Sequence, residues 1–134
     1  MRQTLIFVLA AGLLLTACGG FTCDDPLGCV AVQSGEPIAL GAALTLSGPD
    51  SVYGIDALRG IELAITDRGE VLGHEISLSP EDDGCSAEGG EAAARKLADN
   101  PTIVAVIGTT CSSGTTRAAK VLTEAGMEIG RAHV

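Results

Sequence analysis

The feature that most constrains the fold is the alternation of short apolar runs with segments of helical periodicity between residues 38 and 125. The apolar runs are Ile38–Leu46, His74–Ser79 and Thr102–Ile107. The segments with helix-spaced apolar residues are Tyr53–Arg68, Ser86–Asp99 and Thr115–Ala125. Strands that alternate with helices are joined by right-handed βαβ crossovers. The sequence therefore predicts an α/β fold in three layers, with a parallel sheet between helices on both faces.

Local chemistry predicts the ends and faces of these elements. Gly69 is placed to end the first helix, and Asn100-Pro101 breaks the second. The continuous β-branched run of the third strand is typical of a central parallel strand. The alternating pattern from His74 predicts a strand near an edge, with His74 itself at the surface. In the first helix, the spacing of apolar residues predicts the face that packs on the sheet, which consists of Ala57, Ile61, Ala64 and Ile65.

Parallel α/β sheets bind ligands outside the carboxyl ends of their strands. The loops that follow the predicted strands are Ser47–Gly54, Glu81–Ser86 and Gly108–Gly114. In the third loop and the helix after it, three hydroxyl side chains cluster, those of Ser112, Ser113 and Thr115. At a helix amino end, unpaired amides and the helix dipole favour an anion such as a carboxylate. The alternative is that Ser112 or Ser113 serves only as the N-cap of this helix.

Catalysis, a metal and a cofactor have no support in the sequence. Asp82 and Asp83 are adjacent at a strand end, so their side chains point apart, and we expect them to cap loops rather than form a catalytic dyad. The chain has no phosphate-loop, dinucleotide or nucleophile-elbow motif, and its five cysteines show no CxxC spacing for zinc. A net charge of −9 argues against a nucleic-acid partner, because phosphate contacts need clustered Lys and Arg.

Residues 1–17 have the features of a bacterial signal peptide. Arg2 supplies a positive start, and Leu5–Leu15 is an uncharged apolar run followed by small residues. As a helix this run spans about 16 Å, which is too short for a bilayer core of about 30 Å. The sequence Leu15-Thr16-Ala17-Cys18 resembles the bacterial lipobox, which implies cleavage before Cys18 and attachment of lipid to it. The alternative is an ordinary signal peptide with an incidental cysteine.

Residues 18–36 are rich in Gly, Asp, Ser and Pro, a composition that suits a flexible tether between a lipid anchor and a domain. Cys23 and Cys29 lie inside this tether. An exported chain meets an oxidising compartment, where a small disulfide loop between them is favoured. The alternative is two free thiols.

Three motifs at the strand ends carry a family resemblance. They are Ser47-Gly48-Pro49 with Tyr53-Gly54, Asp82-Asp83-Gly84-Cys85, and Gly108-Thr109-Thr110-Cys111-Ser112-Ser113. Their order and spacing resemble the branched-chain amino-acid binding proteins of ABC transporters, which have the type I periplasmic-binding fold. The resemblance covers residues 37–127 and only the first part of a two-lobed family. It implies that Ser112 binds the ligand's α-carboxylate, that Tyr53 lines the side-chain pocket, and that an ABC permease receives the ligand.

Cys85 and Cys111 are expected to form a disulfide. Both lie just past the carboxyl ends of their strands, and export places them where thiols oxidise. In the strand order 2-1-3 of doubly wound folds, the first strand lies between them, so the two loops must lean together over its end. The alternative is two buried free thiols.

The last residues of the chain do not fit the pattern before them. A fourth strand should follow Gly126-Met127, but Ile129–Val134 is the sequence that one frame of a common short-read sequencing adapter encodes. We therefore expect residues 128–134 to be an artefact, which removes His133 from consideration; the alternative is a genuine tail.

Together these features indicate an extracytoplasmic, lipid-anchored protein of the periplasm or cell surface that binds an amino acid for a transporter. Two alternatives share the fold, the ligand-sensing domain of a receptor and an amide- or urea-binding protein. A secreted α/β hydrolase is a further alternative, which the missing nucleophile motif disfavours.

Overall fold

A computed structural model describes residues 22–25 and 28–130 of the chain. Its helices are α1 (Ser51–Arg68), α2 (Ala87–Ala98) and α3 (Ser112–Glu124). Its strands are β1 (Ile38–Leu44), β2 (Glu70–Val71), β3 (His74–Asp82), β4 (Ile103–Gly108) and β5 (Glu128–Gly130).

The strands form one sheet in the order β2-β3-β1-β4-β5. β3, β1, β4 and β5 are parallel, and only the two-residue β2 is antiparallel to its neighbour β3. The three predicted strands therefore have the order 2-1-3, and the α/β fold with a parallel sheet is confirmed. Leu44 is level with Asp82, and Ala43 is level with Gly108. This register brings the loops after β1, β3 and β4 together at one edge of the sheet.

One face of the sheet is covered by α2 and α3, and the main core lies there. Gly90 of α2 and Gly114 of α3 allow the two helices to approach closely, because a Cβ atom on Gly90 would lie 2.6 Å from the Cα of Gly114. The apolar side chains of this core are buried, and five of the nine are alanine, which suits close packing of helix on sheet. The buried core residues are Ala39, Ala43, Ala93, Ala94, Leu97, Ile103, Val106, Ala118 and Leu122.

Among the described helices, α1 is the one that covers the other face, and the prediction of its packing face is wrong for two of four residues. Ile61 and Ile65 are half-buried as expected, but Ala57 and Ala64 are exposed. The only fully buried residue of α1 is Gly54, where a Cβ atom would collide with the backbone carbonyl of Thr45. This close approach sets the rotation of the helix about its axis and turns both alanines outward.

Several boundaries differ from those expected. α3 begins at Ser112 rather than Thr115, and β3 continues to Asp82. The hairpin of β2 and β3 was not predicted; its two-residue turn, Leu72-Gly73, has positive φ at both positions, as tight hairpin turns require. His74 is half-buried, with Nδ1 2.7 Å from the Glu36 carbonyl oxygen.

Glu128–Gly130 forms the fourth parallel strand expected after Gly126-Met127. β5 pairs with β4, with Ile129 level with Val106. Residues 131–134 lie outside the described residues, as do the signal peptide and Cys18. That residues 128–134 are an artefact therefore stays a prediction. Within the described ranges, no helix has both the length and the apolarity needed to cross a bilayer.

Candidate ligand-binding edge of the sheet

Three loops meet at the carboxyl edge of the sheet, and we name them by the strands they follow. The β1 loop is residues 45–50, the β3 loop is residues 83–86, and the β4 loop is residues 109–111. Each leads into the amino end of a helix, which concentrates backbone N–H groups at this edge. The edge is therefore suited to binding an anion.

A disulfide joins the β3 and β4 loops. Cys85 and Cys111 are bonded, with their Cα atoms 5.1 Å apart. Ser113 adds a second link between the same segments, because its hydroxyl donates to the carbonyl oxygen of Cys85 at 3.1 Å. The loops lean together over the end of β1, in the arrangement that the strand order demands.

Asp82 holds the β1 loop from the exposed side. Its Oδ1 accepts hydrogen bonds from the amides of Leu46 at 2.8 Å and Gly84 at 2.9 Å. The hydroxyl of Ser47, together with these amides, lowers the pKa of the Asp82 carboxyl from its ordinary value. Asp82 is therefore a fixed carboxylate that braces backbone, as expected of a loop cap.

Asp83 lies on the other side of the strand end and is fully buried. Its Oδ1 accepts from the hydroxyl of Thr45 at 2.6 Å and the amide of Cys85 at 2.9 Å. Its Oδ2 accepts from the amide of Thr110 at 3.3 Å. The two neighbouring aspartates thus bind different groups, and both brace loop backbone.

The amino end of α3 presents Ser112 to solvent. The N-cap position belongs to Cys111, whose side chain makes no capping hydrogen bond, so the N-cap alternative for Ser112 and Ser113 is wrong. They are instead the first two helical residues, and both are exposed. The amides of Gly114 and Thr115 donate to the Cys111 carbonyl at 3.1 Å. Helical geometry gives the Ser112 and Ser113 amides no intrahelical acceptor, so they can receive an anion.

The other predicted ligand residues fall into two groups. Tyr53 lies in the first turn of α1, after the β1 loop, and is 67% exposed. Thr115 is half-buried, with its hydroxyl 2.7 Å from that of Thr109 and donating to the Cys111 carbonyl at 3.1 Å. Ser112 and Tyr53 thus face solvent, whereas the hydroxyls of Ser113 and Thr115 hold the loops.

Sequence reasoning did not single out Thr45, Thr109 or Thr110. Thr45 and Thr109 are buried at the ends of their strands, and Thr110 Oγ1 accepts from the Thr45 amide at 3.0 Å. The only available signal was a threonine near the end of the first and third apolar runs. That signal is weak, because threonine is also an ordinary strand residue.

A cavity of about 540 Å³ lies at the opposite edge, near the amino ends of β4 and β5. Its walls include Val30 and Cys29, the latter bonded to Cys23 with a Cα–Cα distance of 5.8 Å. Its remaining walls come mainly from the turns before β4 and β5. Ligands of parallel sheets bind at the carboxyl edge, so we assign the candidate site to the three loops.

Known proteins are similar to this chain in both fold and sequence. A profile of the periplasmic binding protein family matches residues 37–127. An amino acid binding protein from Pseudomonas aeruginosa is 33% identical over 93 residues, which are 67% of this chain and 25% of that protein.

Two solved structures illustrate the likeness. A substrate-binding protein of an ABC transporter from Sphaerobacter thermophilus is 32% identical, with a TM-score of 0.68, over 72% of this chain and 26% of that one. The leucine complex of a corresponding protein from Desulfitobacterium hafniense is also 32% identical, with a TM-score of 0.60, over 72% of this chain and 28% of that one.

The parallel sheet and its loop edge define part of one lobe of a type I periplasmic-binding fold. The chain belongs to the periplasmic binding protein family, and the resemblance to the binding proteins of amino-acid ABC transporters is confirmed. It spans 25% of the length of the Pseudomonas relative.

Proposed function

We propose that the complete protein binds an amino acid, branched-chain or related, and delivers it to the permease of an ABC transporter. The observation that carries the proposal is the exposed Ser112 at the start of α3, on a loop held by the Cys85–Cys111 disulfide. A carboxylate placed there would accept hydrogen bonds from the Ser112 hydroxyl and from the amides of the first turn.

The relatives support the class of ligand. One is an amino acid binding protein, and another is solved in complex with leucine. In our proposal Ser112 contacts the α-carboxylate and the ring of Tyr53 contacts the side chain of the amino acid. Ser113 and Thr115 act through the loop that carries Ser112. The partner of the ligand's ammonium group would come from a second lobe that closes over the ligand.

The family implies a periplasmic location, and lipid attachment at Cys18 would hold the protein at a membrane surface. Stable anchoring needs more than one acyl chain, because a single chain gives only marginal membrane binding. A lipobox cysteine receives several. The tether of residues 18–36 would then separate the domain from the membrane.

Calorimetry on the complete protein, with a panel of amino acids, tests this function. We expect binding of one or more branched-chain amino acids, and we expect Ser112→Ala to weaken it by about 1 to 3 kcal/mol, the cost of an unmatched charge-assisted hydrogen bond. Thr123→Ala is the matched control, since it removes an exposed hydroxyl near the other end of α3. A wild-type protein that binds no amino acid contradicts the function. Equal affinities of wild type and Ser112→Ala contradict the role of Ser112.

A further inference from the structure

Asp83 is a carboxylate that is 0% exposed, whereas its neighbour Asp82 at the same edge of the sheet is exposed. Burying a carboxylate is costly unless hydrogen bonds replace its lost hydration. Here the donors come from three different loops: Thr45 in the β1 loop, Cys85 in the β3 loop and Thr110 in the β4 loop. The buried carboxylate of Asp83 thus accepts hydrogen bonds from all three loops.

These contacts close into a ring that fixes the β4 loop. The Thr110 amide donates to Asp83 Oδ2, while the Thr110 hydroxyl accepts from the Thr45 amide at 3.0 Å. Thr45 in turn donates its hydroxyl to Asp83 Oδ1. Ser112 follows Thr110 by only two residues. A shift of the Thr110 backbone would therefore displace the amino end of α3.

We propose that Asp83 is the positioning residue of the ligand site: it holds the β4 loop so that Ser112 and the first amides of α3 point at the ligand carboxylate. The inference rests on the proposed function. Asp83 itself does not touch the ligand, because it is buried beneath the loops. It acts through Thr110, and the disulfide and the Ser113 hydroxyl brace the same segment from the side of Cys85.

The site needs a carboxylate at this position and not an amide. Each described partner of Asp83 is a donor, and the two oxygens accept on opposite sides. An asparagine with its oxygen toward Thr45 and Cys85 would turn its NH₂ group toward the Thr110 amide. Two donors would then face each other in a buried space, which costs more than the loss of one hydrogen bond.

The test combines hydrogen exchange with ligand affinity in the complete protein. In the ligand-free wild type, we expect the Thr110 amide to be protected although it lies in a loop. Asp83→Asn should lower this protection at least about tenfold and weaken amino-acid binding about tenfold. Thr45→Val is the milder variant, because it removes one donor and leaves the carboxylate; we expect about a threefold loss of affinity.

Ile103→Val is the control for a purely structural effect. Ile103 is buried at the amino end of β4, and shortening it lowers stability without touching the loops. If Asp83 only stabilised the fold, Asp83→Asn and Ile103→Val would lose affinity in proportion to their falls in Tm. That result overturns the proposal. Rapid exchange of Thr110 in the wild type also overturns it. A wild type that binds no amino acid overturns the proposed function instead. In that case, the hydrogen exchange of the Thr110 amide in wild type and Asp83→Asn still tests whether Asp83 holds the β4 loop.

Discussion

At the scale of residues, Asp82 and Asp83 show how far sequence reasoning reaches. Alternation along a strand is enough to predict that neighbouring carboxylates point apart and brace loops. It cannot predict their partners, because Thr45 lies 38 residues from Asp83 and Thr110 lies 27 residues from it. Those pairs depend on the order of the strands and their register. That Ser112 lies close to the amino end of a helix was predictable from local sequence, although the first helical residue was not.

We expect the contribution of Asp82 to stability to depend on pH. Its folded-state pKa lies below the ordinary value of 3.8, chiefly because of the Ser47 hydroxyl. The stabilisation is therefore present above about pH 4 and is lost as the pH falls through the lower folded-state pKa. The free energy of unfolding of wild type and Asp82→Asn should differ by less than about 1 kcal/mol at pH 7, since the group is exposed.

Urea unfolding of the complete protein between pH 7 and pH 3 measures this difference. It should shrink as the solution becomes more acidic than about pH 4. Asp24→Asn, at an exposed position in the tether, is the control and should show no such trend. A difference between wild type and Asp82→Asn that grows in acid has the wrong sign for a lowered pKa and contradicts the assignment.

At the scale of elements, patterns of several residues predicted the strands and helices. Prediction failed where a strand is very short, where loop-like residues begin a helix, and where a tertiary contact rotates a helix. β2 has only two residues, which is too few to show a period. The start of α3 was missed because Ser112-Ser113-Gly114 reads as loop, although such residues are tolerated in a first helical turn. The outward rotation of Ala57 and Ala64 depends on Gly54 meeting the Thr45 carbonyl, a tertiary contact.

Two glycine variants should have opposite effects on stability. In Gly90→Ala the new Cβ atom would meet the Cα and carbonyl oxygen of Gly114 at 2.6 and 2.7 Å, so α2 and α3 must move apart. Such overpacking costs about 1 to 3 kcal/mol. Gly60→Ala is the matched control, because a Cβ atom there has nothing within 4 Å. It should stabilise α1 by about 0.5 to 1 kcal/mol.

Thermal unfolding monitored by circular dichroism distinguishes the two glycines. A fall in Tm for Gly90→Ala and a rise for Gly60→Ala are expected. Equal changes in Tm would mean that the separation of α2 and α3 is not limited by Gly90 and Gly114.

At the scale of the whole molecule, the alternation of strands and helices was sufficient to predict the parallel sheet and its ligand edge. The elements of a second lobe were not open to the same reasoning. The described sheet has α2 and α3 on one face but only α1 on the other, where Ile61 and Ile65 are half-buried. β5 is the edge strand on one side of the described sheet. A two-lobed binding protein needs more elements than these, and no local pattern specifies them.

The proposed attachment of the whole molecule to a membrane depends on Cys18, which lies outside the described residues. The lipobox Leu15-Thr16-Ala17-Cys18 predicts that the sulfur of Cys18 carries diacylglycerol and that cleavage frees its amine for acylation. Cells that express the complete protein should incorporate a palmitate analogue into it. Cys18→Ala should abolish the label and leave the precursor uncleaved. Cys23→Ser is the matched control, since it opens the tether disulfide but spares the lipobox, and should keep the label. Labelling of Cys18→Ala at the wild-type level would show that lipid is attached elsewhere and would contradict the assignment to Cys18.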